Sequence, residues 1–502
     1  MNPETQKLPV LEKIGYSLGD AGANFVFQTM IIFQLNFYTD TLGIAAAVAG
    51  SLLLVGRLWD AFFDPMMGVI ADRTNTRWGK FRPWVLWSAV PWGIVMVLAY
   101  TTPDYSTTGK IVWACVTNTL LMTLYSINNT PYSAMTGVMT GNINERTSLS
   151  SYRFVSAMIA TLLVGGFTLP LVSKFGQGDD SKGWQMTIGL WAVICVILFL
   201  ITFLSTKERI QPDPKQKTSA KEDFKGLLDN GPWIAMSIVT LAHFIVAAMR
   251  GGTVVYYFQY YVNQEKLFDL LQAVGLTGTG GGMWHRLLNT FGLIVDAEKT
   301  NVASVGFSLF NMSSQFVTLI GVVCATCLSI RFGKKAVVLA GFSLTSIFMA
   351  AFILLPADAV GATFLLEYIR ALAYAPTIPL LWAMFADVAD YAEWKTGRRT
   401  TGVIYATIMF ALKAGLSLGG AIAAWLLSAY GYQANAVQTT KALLGIRMTI
   451  SIYPAMLYGV IVIALLFYTI NKKLNIQIQD ELAERRRKFQ PELTQAVPSA
   501  HS

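Results

Sequence analysis

The sequence predicts an all-α membrane protein whose twelve transmembrane helices form two six-helix halves. Charged residues are only 13% of the 502-residue chain and hydrophobic residues are 54%, whereas a soluble domain contains about 25% charged residues. Apolar stretches of about 20 residues, enough to cross a bilayer as a helix, recur along the chain. We place twelve such spans, approximately at 15–39, 44–71, 83–102, 111–138, 154–173, 184–204, 232–262, 303–329, 336–356, 360–388, 402–430 and 444–471.

The distribution of basic residues predicts the orientation of these spans. If the amino terminus is cytoplasmic, the inner segments contain 26 of the 38 Lys and Arg residues and the outer segments contain eight. Inner loops of membrane proteins carry such an excess, so we expect a multi-pass protein of the cell (inner) membrane with both termini cytoplasmic. Topology and contact with anionic membrane lipid explain the net charge of +9, and a nucleic-acid partner is not needed.

A short basic loop occurs at matching places in the two parts of the chain. Arg77-Trp-Gly-Lys80 follows the second span, and Arg331-Phe-Gly-Lys334 follows the eighth. Any short inner loop collects basic residues, but the shared aromatic-glycine pair favours a duplicated transporter with its substrate site between the halves. We predict an N-terminal half at 1–204, a cytoplasmic linker at 205–231, a C-terminal half at 232–471 with an outer insertion at 263–302, and a cytoplasmic tail at 472–502.

Two carboxylates interrupt the second span. Asp60 and Asp64 are four residues apart, which places them one above the other on the same face of a helix. Two acids at membrane depth repel each other and are costly to desolvate, and an ionisable group there indicates a functional site. A cation or proton that binds and leaves would relieve the repulsion, so the pair indicates ion-coupled transport.

Motifs typical of enzymes do not occur in the sequence. We find no nucleotide-binding loop, nucleophile constellation or metal-ligand cluster, and therefore predict a protein that is not an enzyme and has no cofactor other than a coupling ion. The four cysteines all fall within apolar spans, where we expect them to be small buried packing residues.

Several motifs, in order along nearly the whole chain, resemble those of the glycoside–pentoside–hexuronide:cation symporters of the major facilitator superfamily. They are Tyr16-Ser-Leu-Gly-Asp-Ala-Gly22, Arg57-x-x-Asp60-x-x-x-Asp64-Pro65, Arg77-Trp-Gly-Lys-Phe-Arg-Pro-Trp84, Asn129-Thr-Pro-Tyr132, Tyr152-Arg153-Phe154, Ala386-Asp-Val-x-Asp390-Tyr391 and Lys413. The resemblance implies the major facilitator fold and transport of a sugar together with a cation.

The resemblance also implies a cation site. It places the coupling ion at Asp60 and Asp64, with the hydroxyl of Ser126 as a further ligand and Lys413 beside the carboxylates. A sodium-using relative has asparagine at the position of Phe63, whose ring offers no oxygen ligand, so H+ is favoured over Na+. The alternative is a fixed salt-bridge cluster in which Arg57 supplies the missing positive charge.

The predicted sugar site departs from the family pattern. Asn24 and Asn129 occupy positions that bear carboxylates in a relative, so they would bind hydroxyls without charge-assisted bonds, and the loss of two acids would also suit an anionic sugar. Tyr125 and Trp382 are candidate stacking residues, although they could equally pack helix against helix. Phe27, Tyr132 and Tyr374 are weaker candidates of the same kind. Arg153 either lines the inner vestibule or forms a closing salt bridge.

Together these features predict a monomeric secondary active sugar symporter that works by alternating access. Its expected partners are a small sugar, a coupling cation and membrane lipid. One alternative is an uncoupled facilitator or an exporter of a non-sugar solute on the same fold, and another is a transporter-like membrane sugar receptor. The insertion at 263–302 has a glycine-rich centre between two apolar pieces, and we expect two short helices that form an outer cap.

Overall fold

The computed structural model describes residues 7–140, 142–209, 230–278, 282–397 and 401–495. The first part of the chain forms α1 Val10–Asn36, α2 Ala46–Arg73, α3 Arg82–Ala99, α4 Thr107–Met139, α5 Ile143–Gly176 and α6 Asp180–Ser205. The second part forms α7 Gly231–Tyr256, α8 Gln264–Ala273, α9 Met283–Thr290, α10 Val302–Phe332, α11 Lys334–Ala351, α12 Val360–Tyr374, α13 Thr377–Thr396, α14 Thr401–Ala429, α15 Thr440–Ile450, α16 Ile452–Phe467 and α17 Lys472–Gln495. Short π-helical turns extend α1 to Thr41 and α7 to Tyr261.

The helices account for the predicted spans. Within the described ranges, eleven helical stretches are long and apolar enough to cross a membrane, with α12 and α13 forming one stretch and α15 and α16 another. Helix α1 packs alongside α5 and α6 in the same bundle and supplies the remaining predicted span. Most span boundaries agree to within a few residues, but the fifth helix begins at Ile143 and not at 154, because its polar first turns continue the helix.

The tenth span is broken in its middle. Helix α12 ends at Tyr374 and α13 begins at Thr377, with Pro376 in the turn between them. Proline lacks a backbone N–H and its ring clashes with the preceding turn of a helix, so a break at this place is expected. The break lies beside the central cavity described below, where it brings the end of α12 and the start of α13 to the same wall.

The two halves meet along three pairs of helices. Helix α14 packs against α2, α10 against α5, and α7 against α1. The approach of α2 to α14 requires Gly50, because a Cβ atom there would lie 2.6 Å from the Cβ of Ala424. Close packing at this point places the predicted cation-site residues of α2 directly opposite α14.

The segments between helices divide into two faces of the bundle. One face holds the predicted inner loops, and we call it the basic face. There, Glu208 accepts hydrogen bonds from the backbone of the 80–82 loop, and the Trp394 indole donates to Glu481 of α17. On the opposite face, Asn263 donates to the carbonyl of Ala357. The predicted inner loops that the structure describes therefore share one face, whereas most of the predicted linker, 210–229, lies outside the described residues.

The insertion at 263–302 contains the two short helices α8 and α9 on the opposite face. It contacts both halves. The Lys174 ammonium at the end of α5 donates to the carbonyls of Asn289 and Thr290, and the rings of Phe167 and Phe291 lie 4.7 Å apart. In the other half, Leu267 of α8 lies against Gly306 of α10. The insertion thus joins α5 to α10 beside the central cavity.

Burial of all four cysteines was a wrong prediction. Cys195 is buried and Cys115 is half-buried, but Cys324 and Cys327 are exposed on α10. Few residues of this helix are buried inside the bundle, since much of its apolar surface faces outward. An apolar span in the sequence does not distinguish a lipid-facing position from a packed one.

Candidate functional site

The predicted cation-site residues come together between α2, α4 and α14. Lys413 of α14 lies with its ammonium 3.1 Å from the Asp60 carboxylate and also forms an ion pair with Asp64. The Ser126 hydroxyl of α4 donates to Asp60 over 2.6 Å, and the Thr130 hydroxyl donates to Asp64 over 3.2 Å. One positive charge from the C-terminal half is thus shared by two negative charges of the N-terminal half.

Arg57 does not join this ion-pair network in the described part of the chain. Its guanidinium lies over the ring of Phe27, 5.2 Å from the centroid. It is close enough to Asp60 for the two charges to interact, but it makes no ion pair with it within 4 Å. The directly bonded group of Asp60, Asp64 and Lys413 therefore has one excess negative charge.

Phe63 lies next to the carboxylates along the helix. Its ring stacks on that of Trp59 at a centroid distance of 5.9 Å, and the Trp59 indole donates to Thr123 of α4. An aromatic stack thus fills the side of α2 next to the carboxylates. No oxygen of residue 63 is available there as an ion ligand.

A cavity of about 490 Å³ lies between the halves next to this cluster. Of the residues predicted to bind sugar, Trp382 of α13 lines it, as do the weaker candidates Phe27 and Tyr374. Leu416, one turn after Lys413 on α14, also lines the cavity. Further polar lining comes from Gln28, Thr161, His243, Asn311 and Gln315. The cavity offers both aromatic surfaces and hydrogen-bonding groups to a solute.

The other predicted sugar residues lie around the N-terminal half. Tyr125 stacks on the cavity residue Phe27 at 5.8 Å, and its hydroxyl accepts a hydrogen bond from the Asn129 amide. The Asn24 amide donates to the backbone carbonyl of Asp20. Tyr132 is fully buried and stacks on Tyr16, as a packing residue does. Asn24, Tyr125 and Asn129 are not among the described residues that line the cavity. Their contact with sugar remains a prediction.

Arg153 forms a salt bridge with Asp20 of α1 at 3.0 Å. Its guanidinium also lies over the rings of Tyr16 and Tyr132. All four residues belong to the N-terminal half, so this salt bridge does not connect the two halves. The neighbouring Phe154 lines the cavity, which places Arg153 close to the cavity wall.

A second ionic cluster, which was not predicted from the sequence, lines the cavity. Arg250 of α7 and Arg370 of α12 both bind the carboxylate of Glu367, with shortest distances of 2.6 Å each. The Ser314 hydroxyl of α10 donates to the same carboxylate over 2.7 Å. The available signal was the interruption of the tenth span by Glu367 and Arg370, three residues apart on one helix, together with Arg250 inside the seventh.

On the opposite face, the halves are joined by hydrogen bonds around Asp40, at the end of α1. Its carboxylate accepts from the hydroxyls of Tyr260 and Tyr432, both in the C-terminal half. Asn36 donates to Gln259 over 3.0 Å in the same region. These bonds hold the opposite-face ends of α1 and α7 together above the cavity.

Comparison with known proteins agrees with this architecture. The family model described as MFS/sugar transport protein matches residues 15–287 and 279–472. The putative glycoside/cation symporter YagG of Escherichia coli (strain K12) is 33% identical over 484 residues, covering 96% of each chain. The inner membrane symporter YicJ of the same organism is 32% identical over 493 residues, covering 98% of each.

A solved structure supports the fold at much lower sequence identity. A bacterial homologue of the human drug peptide transporters PepT1 and PepT2 superimposes with a TM-score of 0.60 at 11% identity, covering 95% of this chain and 99% of that one. The predicted all-α, twelve-helix major facilitator fold is thereby confirmed, as is the prediction that the protein is not an enzyme. The chain is a multi-pass membrane protein that belongs to the MFS/sugar transport protein family.

Proposed function

We propose that the protein is a secondary active symporter that couples a cation, with H+ favoured over Na+, to the transport of a sugar of glycoside, pentoside or hexuronide type by alternating access. The observation that carries this proposal is the ionic cluster of Asp60, Asp64 and Lys413, which connects the two halves at membrane depth. The relative named as a putative glycoside/cation symporter supports a sugar substrate and a coupling cation.

The cluster suits a site that exchanges an ion. Lys413 is one cation shared by two acids, so the binding of a proton or metal cation to one acid weakens the hold of the lysine. Because the lysine belongs to one half and the acids to the other, ion binding changes the bonding between the halves. Alternating access requires this kind of change in the contact between halves.

The ion cluster and the cavity are neighbours, which allows coupling. Phe27 lines the cavity and also contacts the Arg57 guanidinium, and Leu416 lines it one turn from Lys413. A sugar that presses on Leu416 would act on α14, which holds Lys413, and one that presses on Phe27 would act on Arg57 of α2. We assign sugar contact to Trp382 in the cavity and to Asn24, Tyr125, Asn129 and Arg153 around it.

The choice of ion rests on the ligands at the carboxylates. Na+ prefers several oxygen ligands, whereas a proton needs a single carboxylate. Asp60 and Asp64 have Ser126 and Thr130 as hydroxyl neighbours, and Phe63 contributes no oxygen. Lys413 occupies both carboxylates, which leaves little coordination for a metal ion and favours H+.

The proposed location is the inner membrane with both termini cytoplasmic. The excess of basic residues on the inner segments supports this orientation, and the predicted inner loops that the structure describes lie on one face of the bundle. Cysteines placed at residue 220 and, separately, in the insertion can be labelled with an impermeant reagent in intact cells. Labelling of residue 220 from outside would contradict the proposed orientation.

Transport itself is tested with purified protein in proteoliposomes. A panel of neutral and anionic glycosides is added outside, and the internal pH or sodium concentration is followed. We expect a substrate-driven movement of H+ inward, prevented by a protonophore. Substrate uptake without movement of either ion would support an uncoupled facilitator instead, and binding without any uptake would support a receptor.

A further inference from the structure

The buried Arg250–Glu367–Arg370 cluster, which we call the arginine cluster, forms part of the C-terminal wall of the central cavity. All three residues line that cavity. Glu367 is 2% exposed in its side chain and Arg370 is 9% exposed, so the charges lie away from bulk solvent. Charged groups at membrane depth are costly unless they are paired or serve a function. Their position on a cavity between two moving halves requires an explanation beyond packing.

The charges on the cavity wall do not cancel. Arg250, Glu367 and Arg370 are the Lys, Arg, Asp and Glu side chains among the described residues that line it, which gives one excess positive charge. The N-terminal half contributes uncharged lining only, within those same residues: Phe27, Gln28, Ile31, Ile32, Phe154, Met158 and Thr161. One guanidinium charge therefore faces a cavity that offers it no counterion.

The carboxylate in the cluster is already fully engaged. Glu367 accepts hydrogen bonds from both arginines and from the Ser314 hydroxyl. Its negative charge is thus neutralised by groups of the protein, and its hydrogen bonds hold the two guanidinium groups in place. A solute in the cavity would meet the positive charge of the cluster and not the carboxylate.

Hydrogen-bond donors remain available on the arginines. Arg370 uses its Nε and one Nη for Glu367, and its other Nη has no hydrogen bond within the described part of the chain. The Nε of Arg250 also has no partner there, but this atom is buried, so Arg370 provides the donor for a solute. A guanidinium held rigidly by one carboxylate can bind a second anion through its remaining donors. Charge-assisted bonds of this kind are short and strong.

We infer that the arginine cluster is a subsite for one negatively charged oxygen group of the transported solute, a carboxylate or a sulfonate. The rest of the solute would be polyhydroxylated, because Gln28, Asn311 and Gln315 line the same cavity and Trp382 offers an aromatic face. The inference rests on the proposed transport function and narrows its substrate class to acidic sugars. Arg370 supplies the free donor, and Glu367 positions both arginines.

The first experiment compares matched solutes on the wild-type protein. A methyl glycoside, the uronide that carries a carboxylate at C6, and a 6-sulfonate analogue are tested for thermal stabilisation in detergent and for exchange in proteoliposomes. We expect the acidic solutes to bind at least about tenfold more tightly than the neutral one, as for a charged hydrogen bond. Preference for only one acidic solute identifies whether the group is carboxylate or sulfonate.

The second experiment removes the free donor. Arg370→Gln should lower the affinity for the acidic solutes by about tenfold or more, so that the preference over the neutral glycoside is lost. Arg370→Lys keeps the charge but not the planar fork, so it should recover part of the preference. Lys182→Gln, on an exposed residue of α6, is the control for loss of one positive charge.

The outcomes separate this subsite from the transport proposal. Equal or tighter binding of the neutral glycoside by the wild-type protein overturns the subsite, even if transport is observed and the Arg370 variants do not fold. Tight binding of an acidic solute with no exchange upholds the subsite but contradicts transport. An acidic preference that survives in Arg370→Gln also overturns the assignment to this cluster.

Discussion

Two ionic clusters lie buried between the helices, and their charges are reversed. In the cluster of Asp60, Asp64 and Lys413, one base is shared by two acids. In the arginine cluster, one acid is shared by two bases, Arg250 and Arg370. The acid-rich cluster connects the two halves, whereas the arginine cluster lies within the C-terminal half. A cluster across the interface can change during a transport cycle, and a cluster within one half moves as a unit.

The two clusters also differ in access. The Asp64 and Lys413 side chains are 24% and 29% exposed, whereas Asp60, like Glu367, is only 2% exposed. An ion can therefore approach the acid-rich cluster from the side of Asp64 and Lys413. The arginine cluster has a closed centre at Glu367 and lines the cavity, which suits a permanent charge that recognises a solute.

The largest expected effect is a loss of stability in Glu367→Gln, and it tests the contrast between the two clusters. Glu367→Gln leaves two buried arginines without a counterion, and breaking a buried ion pair in this way costs about 3–5 kcal/mol. Asp60→Asn also removes a buried acid, but it removes the excess negative charge and leaves Lys413 paired with the partly exposed Asp64, so we expect a smaller loss. The apparent melting temperatures of both variants in detergent provide the comparison. Equal stability of the two variants would contradict the distinct roles assigned to the clusters.

The second prediction concerns accumulation against a gradient. Asp60→Asn keeps the shape of the side chain but cannot alternate between charged and neutral forms, so uphill accumulation should be lost while downhill exchange survives. Asp64→Asn should behave in the same way. Asp269→Asn, on the exposed surface of α8, is the control. If both membrane variants still concentrate the solute to wild-type levels, the cation site lies elsewhere.

The sequence predicted the acid-rich cluster better than the arginine cluster, for a physical reason. Asp60 and Asp64 are four residues apart on one helix, so their proximity follows from helix geometry alone. Glu367 and Arg370 showed a similar local signal, but their partner Arg250 lies more than a hundred residues away on α7. The identity of the cavity wall depends on how α7, α10 and α12 pack, and a helical pattern does not specify this packing.

Because a helical pattern does not specify how helices pack, the residues that line the cavity were also hard to predict. Trp382 follows the break at Pro376 and lines the cavity, whereas the weaker candidate Tyr132 is fully buried against Tyr16. Both are aromatic residues in apolar spans near a recognisable motif. Helix number and span boundaries were predictable because they depend on length and hydropathy along the chain. The direction of each side chain around its helix depends on neighbours from distant parts of the sequence.

The third prediction uses the hydroxyls to identify the coupling ion. Ser126 donates to Asp60 over 2.6 Å, a shorter bond than the 3.2 Å from Thr130 to Asp64. Ser126→Ala removes a bond that stabilises the charged form of Asp60. If the ion is H+, the pH at which transport is half-maximal will shift and the sodium dependence will not change. If the ion is Na+, the half-saturating sodium concentration will rise instead, because an oxygen ligand is lost.

The size of that shift is also testable. A hydrogen bond to a charged group contributes about 1.5–3 kcal/mol, which is roughly a ten- to hundredfold change in half-saturation. Thr130→Val removes the longer bond to the more exposed acid, so its effect should be smaller. The two variants are compared by uptake as a function of pH and of sodium concentration. A larger effect from Thr130→Val would reverse the order of importance that we assign to Asp60 and Asp64.

The smallest expected effect is on ion preference, from Phe63→Asn. The change places an amide oxygen on the helix beside Asp64 and removes the ring that stacks on Trp59. Because Na+ binding needs several oxygens and Lys413 still occupies both acids, one added ligand should give only a few-fold sodium stimulation of uptake. Phe62→Asn, on the adjacent exposed position, should give none. Sodium stimulation of the same size in both variants, or in the wild-type protein, would show that Phe63 does not set the preference for H+.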